Sequence, residues 1–365
     1  MSSEYCTTIG IDVSDRKSHV CVMTKAGGHP RVVAETTIPT TPDGLSGFLA
    51  TQDRMSAVTF ETGTHCRWMD AVARGLGFKV FVANPFRLRM ITESATKNDV
   101  NDARTLARLT LADVELLRPV SLRSSTHQKM INLHEMRNLL VDQRTGIICQ
   151  LRGIAKSMGW RIPQCSTAHF HKIDRSEWPK ELRDIAWPMI KHLEDLNTTV
   201  KTYEKQIREL AETPTFKAQV DRLRQIHCVG LFTATGFVAA TGGDMERFAK
   251  SRDVGPWLGL TPRQDQSGDT DRPCHITLAG SPFLRRLLTE CAQMIMHDGS
   301  PDTDLKVKGM RISARGGKVA RRKAIMAVAR SLAVMMVAML KKPSTEYVPL
   351  SERGAIELEA MRMSA

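Results

Sequence analysis

Aromatic side chains are scarce in this chain: Phe, Trp and Tyr make up 5% of its 365 residues. Gripping single-stranded nucleic acid by stacking its bases needs such rings, so that mode of binding is disfavoured. Cysteine pairs at metal-ligand spacing are also missing. The eight cysteines, Cys6, Cys21, Cys66, Cys149, Cys165, Cys228, Cys274 and Cys291, lie far apart, several of them in apolar runs. That pattern fits reduced core thiols of a cytosolic protein better than a zinc site or a disulfide framework. No signal peptide opens the sequence. The most apolar stretch, Ala324 to Leu340, is short for a bilayer and carries Arg330 near its middle. It reads as a packing helix, and no membrane partner is expected.

Positive charge is in excess. The formal net charge is +13, although charged residues make up an ordinary 25% of the chain and apolar ones 42%. The surplus points to a polyanion, because each phosphate neutralised by Lys or Arg releases counterions. Residues 1–110 carry 13 Lys/Arg against 11 Asp/Glu, whereas residues 301–342 carry 11 against Asp302 and Asp304 alone. Chemistry in the first part and nucleic-acid grip in the last is the expected division; a solvated basic face is the bland alternative. The candidates for phosphate contact are Arg263, Arg285, Arg286, Lys318, Arg321, Arg322 and Lys323. Recognition of duplex DNA and of A-form RNA both stay open.

Hydrophobic periodicity divides the chain. Residues 6–13, 19–24 and 31–38 read as a three-strand meander. Helices and strands then alternate: a helix from Thr41-Pro-Asp, a strand over Ala57–Phe60, a helix His65–Leu76, a strand from Lys79 broken by Asn84-Pro85, and a helix opening at Asn98. From Ser125 to Leu210 strand signals vanish. Two long helices are predicted there, an antiparallel pair or coiled coil, the second starting just after Pro188. Beyond them, Ile226-His-Cys-Val-Gly resembles a helix-hairpin-helix turn or a helix-packing glycine. The expected domains are a catalytic α/β domain over 1–124, a helical coiled-coil linker over 125–212, a mainly α domain over 213–345 and a tail over 346–365.

Four acids stand out. Asp12 ends an apolar strand, where an uncompensated carboxylate is costly. Glu61 stands just past the strand over Ala57–Phe60, so neighbouring strands would bring both acids out at one sheet edge. Asp99 and Asp102 are three apart and share a helix face. Taken singly each has an ordinary reading, and Asp99 in particular suits a helix start. Together they would repel unless a divalent cation, Mg²⁺ or Mn²⁺, sat among them. Two such ions can activate a nucleophile and stabilise the leaving oxygen of a phosphodiester.

Gly10-Ile-Asp-Val, Phe60-Glu-Thr-Gly and Lys97-Asn-Asp-Val-Asn-Asp-Ala resemble the acidic blocks of the RuvC-like transposases of the IS110 insertion-sequence family. Ile226-His-Cys-Val-Gly, Arg247-Phe, Gly259-Leu-Thr-Pro-Arg, Gln266-Ser-Gly and Leu284-Arg-Arg-Leu-Leu resemble that family's second domain. Two departures occur: Asn98 stands where the family usually has Thr, and Leu278-Ala-Gly-Ser replaces a segment that usually carries a lysine. The resemblance implies an RNase-H-like (RuvC-like) domain with the acidic set Asp12, Glu61, Asp99 and Asp102, a coiled-coil linker and a C-terminal transposase domain. It also implies a serine nucleophile, Ser267, which by its loop sequence alone reads sooner as a turn residue. The implied partners are donor and target duplex DNA, a structured guide RNA and further copies of the chain as a dimer or tetramer, in a nucleoid-associated bacterial setting. The implied activity is DNA transposition through a phosphoserine–DNA intermediate. A RuvC-type junction resolvase using metal-activated water, and a non-catalytic basic binding protein, are the alternatives.

Overall fold

The computed structural model describes residues 5–84, 98–267, 270–272, 274–344 and 347, with the side chains of 267, 270 and 271 excepted. Lys97, Pro85, Gly268 and, Tyr347 apart, the expected tail over 346–365 lie outside the described residues. Two compact units emerge, Met1–Leu122 and Arg123–Ala365.

The first unit is a mixed sheet between helices. Strands β1 (Thr7–Asp12), β2 (Lys17–Ala26) and β3 (His29–Pro39) form the expected antiparallel meander. Helix α1 (Pro42–Leu49) leads to β4 (Ala57–Glu61), and α2 (Cys66–Gly75) to β5 (Lys79–Ala83). The order is β3-β2-β1-β4-β5, with β4 parallel to both β1 and β5. Alternation along β1 sorts its side chains between two layers. Ile9 and Ile11 join Leu45, Leu49 and Met69 in a core with α1 and α2. Thr8 and Gly10 face the helix α3 (Asp99–Ala112) on the other side.

The second unit is mostly helical. Helix α4 (Ser125–Ser157) and α5 (Lys180–Ala211) run antiparallel, since Arg137 pairs with Glu204 at 2.7 Å and Arg144 with Asn197 at 2.8 Å. Pro188 lies inside α5, not before it as expected. It sits on the exposed side, while Leu182, Ala186, Ile190 and Leu193 continue one buried stripe past it. The carbonyl that loses its helical donor belongs to Asp184, an exposed residue, and packing of the opposite stripe carries the helix through.

After α6 (Lys217–Leu223) and α7 (Leu231–Thr241), a loop region with a short hairpin, β6 (Gln266–Ser267) and β7 (Thr270–Asp271), precedes α8 (Pro282–Ile295), α9 (Asp304–Ser313) and α10 (Gly317–Lys341). Helix α10 is long and apolar enough to cross a membrane by length and composition. Here its residues Ala324, Val328, Ala329, Leu332, Ala333 and Met336 are fully buried in the core it shares with α6, α8 and α9. It is the core helix of this unit. All eight cysteines are free, and burial pushes the Cys21 thiol up to about 11, as suits an inert core group.

Two stability outcomes follow from this packing. A Cβ on Gly10 would lie 2.2 Å from the carbonyl oxygen of Ala103 in α3. Gly10→Ala should therefore cost about 3 kcal/mol in urea unfolding, the upper end for overpacking. Gly47→Ala, whose Cβ meets nothing, should be neutral or stabilising. His134 is 1% exposed and hydrogen-bonded to Thr235, and burial lowers its pKa from 6.5 to about 4. The unfolded chain binds the proton first, so stability is full above pH 6.5 and falls as pH drops toward 4, by about 3 kcal/mol. His134→Gln should flatten that acid limb.

Candidate functional site: an acidic sheet edge

The parallel register of β1 and β4 pairs Gly10 with Thr59 and Ile11 with Phe60, which brings Asp12 beside Glu61 at the strands' carboxyl ends. Both lie on the face that α3 covers, because Thr8 and Gly10 in β1, and Thr59 in β4, point there. Thr8 Oγ1 donates to the Ala107 carbonyl at 2.9 Å, and Thr59 shares a 2.7 Å hydrogen bond with Thr110. Successive contacts at Thr8 with Ala107 and Gly10 with Ala103 run in opposite directions along the two elements. Helix α3 is therefore antiparallel to β1, and its first turn lies at the Asp12 end.

That first turn carries Asp99 and Asp102. Asn98 caps it, its side chain accepting from Asn101 N at 2.8 Å, so the departure from Thr keeps the helix start. Asp102 is 8% exposed, and Glu61 Oε1 is shielded from solvent. Asp99 is more open, with 57% of its side chain exposed. The structure thus places all four acids on one face of one sheet edge. Among the described residues no three His, Cys, Asp or Glu side chains close on a single point as a ready metal cage. The donor chemistry fits a hard divalent cation: four carboxylates, two of them drawn away from solvent.

Sequence reasoning missed two groups here. His19 is the cross-strand partner of Asp12, and its Nε2 lies 3.7 Å from Asp99 Oδ2. The meander's register was the signal that would have found it. Arg104 reaches from α3 to Glu35 on β3 through a bidentate pair, one arm of which is 2.6 Å. Hydrogen bonding from Arg104 holds the Glu35 carboxyl below its usual range.

In the second unit Ser267 ends β6 in the hairpin with β7. Pairing of Thr261, Pro262 and Arg263 with residues 275–277 braces the base of that hairpin. A Cβ on Gly259 or Gly280 would strike backbone within 2.5 Å, so the Gly259-Leu-Thr-Pro-Arg block is a tight joint between two loops. The candidate cations separate into two groups. Arg285 donates to the carbonyls of Leu258 and Gly280, and burial lowers its pKa. Arg286 donates to Asp142 at 2.9 Å and Glu290 at 3.1 Å. Arg285 thus braces the loop joint from a half-buried position, while Arg286 is exposed and sits in surface ion pairs. Arg263, Lys318, Arg321, Arg322 and Lys323 are exposed and, among the described residues, in no ion pair.

A family model for DEDD transposases of the IS110 type matches residues 9–159, and a second, for transposases of the IS116/IS110/IS902 family, matches residues 220–308. The chain belongs to the IS110 family of transposases. The first match spans all four acids and the second spans Ser267. Relatives include a transposase for the insertion sequence element IS1328 of Yersinia enterocolitica, 28% identical over 80% of this chain and 84% of its own length. A transposase for IS1111A of Coxiella burnetii is 25% identical over 74% of each chain. A probable family 20 transposase of Pseudomonas aeruginosa is 26% identical over 59% of this chain; the match spans 64% of that relative's length. A Thermus thermophilus RuvC structure aligns with 33% of this chain and 84% of its own at 13% identity, with a TM-score of 0.21. At that score the likeness carries no weight.

If the acidic edge binds a divalent ion, Mn²⁺ should raise the thermal midpoint, since a tenfold excess over Kd adds about 1.4 kcal/mol. The rise should disappear in Asp12→Asn and Asp102→Asn; an equal rise in both would place the metal elsewhere.

Proposed function

We propose that this chain cuts and rejoins DNA, moving its own insertion element. The observation that carries the reading is the antiparallel seating of α3 on β1, which brings the first-turn acids to the strand ends that hold Asp12 and Glu61. The order β3-β2-β1-β4-β5 with this acidic edge supports an RNase-H-like, RuvC-like catalytic domain. In this reading Asp12, Glu61, Asp99 and Asp102 hold Mg²⁺ or Mn²⁺, which when bound lowers the charge at the scissile phosphate. His19 orients Asp99, and Arg104 fixes the angle of α3 against β3.

Ser267 supplies the nucleophile. Its Oγ forms a bond to phosphorus, the bond from phosphorus to a deoxyribose oxygen breaks, and the serine proton is passed on as the leaving oxygen takes one up. The reverse attack by a hydroxyl of another strand restores the serine, so no external energy source is needed. In this reading Ser267 and the acids serve one reaction, carried out by a dimer or tetramer. The coiled-coil function of α4 and α5, the guide RNA, the donor and target duplexes and the cytoplasmic, nucleoid-associated setting rest on the family.

Denaturing gels of protein with DNA and Mg²⁺ test this. A covalent protein–DNA adduct should form, and Ser267→Ala should abolish it. Cleavage that persists without an adduct in that variant would favour hydrolysis by water, the junction-resolvase alternative. Asp12→Asn should lower strand cleavage by at least about a hundredfold, as loss of a main electrostatic group does.

A further inference from the structure

Helix α10 is apolar core for most of its length and something else at its start. Lys308 Nζ reaches Ser331 Oγ at 2.6 Å, and a Cβ on Gly309 would touch Val328. Helix α9 therefore packs on α10 well beyond the latter's first two turns. From Ala314 to Lys323 only Ala320 is buried. This tip carries Lys318, Arg321, Arg322 and Lys323, with Arg311 and Arg315 beside it on the preceding helix and turn, all exposed. Among the described residues none of the six cations is in an ion pair. Val319, 64% exposed, stands among them, and Gly316 offers the helix start no side-chain cap.

We infer that this projecting tip enters the major groove of B-form duplex DNA. Shape and charge decide the occupant. An α-helix is about 10–12 Å across with its side chains, and the major groove of B-DNA, about 12 Å wide, admits one. The major groove of A-form RNA is too deep and narrow for that. Lys318, Arg321 and Arg322, at three- and four-residue spacing, form one basic face for base edges and phosphates. Arg311 and Arg315 reach the flanking backbone, and the open N–H groups of the first turn suit a phosphate. Val319 provides the apolar contact that a thymine methyl accepts. This rests on the proposed reading that the substrate is DNA, and adds where and how the duplex is held.

The test is fluorescence anisotropy of the full chain in EDTA, with a mixed-sequence DNA duplex and an RNA duplex of the same sequence. Arg321→Gln/Arg322→Gln should weaken DNA binding roughly tenfold or more, and lower the slope of log K against log salt by about 2. Arg321→Lys/Arg322→Lys should keep most of that slope, and Lys318→Gln/Lys323→Gln gives a second, independent reading of the same tip. Unchanged DNA affinity in both Gln variants overturns the inference, as does loss of RNA-duplex affinity alone. Chelation removes cleavage from the measurement. Tip-dependent DNA binding by a protein that never forms an adduct would sink the serine chemistry and leave this contact standing. Adduct formation with unchanged affinity in the Gln variants would do the reverse.

Discussion

The catalytic reading hangs on a helix allowed to touch a strand. At Gly10 the backbone of α3 comes so near β1 that no side chain fits between them. Thr8 and Thr59 then lock the helix by hydrogen bonds to Ala107 and Thr110, toward its carboxyl end. These are short, directional links deep in the unit, where competing water is excluded and packing tolerates little shift. Moved by one turn, α3 would carry Asp99 and Asp102 about 5.4 Å from the ends of β1 and β4. Gly10 is thus as much a part of the acidic edge as the acids are.

Much of that edge was legible beforehand. A carboxylate at the end of an apolar run, followed by a meander and an α/β alternation, already implied that Asp12 and Glu61 shared a sheet edge. Three-residue spacing placed Asp99 and Asp102 on one helix face. The reason the face turns toward β1 was not legible, because it depends on a missing side chain at Gly10 and on threonine pairs far apart in sequence. Arg104 and Glu35 were invisible for the same reason: an ion pair between exposed residues of distant elements leaves no periodic trace.

In the helical unit two kinds of residue depend on packing or partners that the sequence does not show. Pro188 looked like a helix start because its local cost is high, yet it faces outward and a continuous buried stripe on the other side outweighs that cost. Arg285 and Arg286 are candidates for phosphate contact on composition, which counts charge without partners. Their partners, the carbonyls of Leu258 and Gly280 and the carboxylates of Asp142 and Glu290, are set by tertiary structure. The cations near residue 320 differ because the chain around them is devoid of acid from Leu305 to Lys342. A run without nearby acid is a better guide to free charge than the number of cations.

That distinction bears on how one chain can both bind and cut a polyanion. Four carboxylates repel phosphate, so an acidic edge cannot recruit DNA by itself before cations reach it. A basic tip carried on a different compact unit lets capture be driven by counterion release, without burdening the acidic edge with competing lysines. Fixing that tip to a helix packed in the core of its unit makes it stiff, which reduces the ordering cost of binding. Pairing of Arg286 with Asp142 and Glu290 offsets part of the positive charge around it. The division between a near-neutral first part and a basic last part, visible from composition alone, is thereby a division between opposing electrostatic requirements of the same reaction.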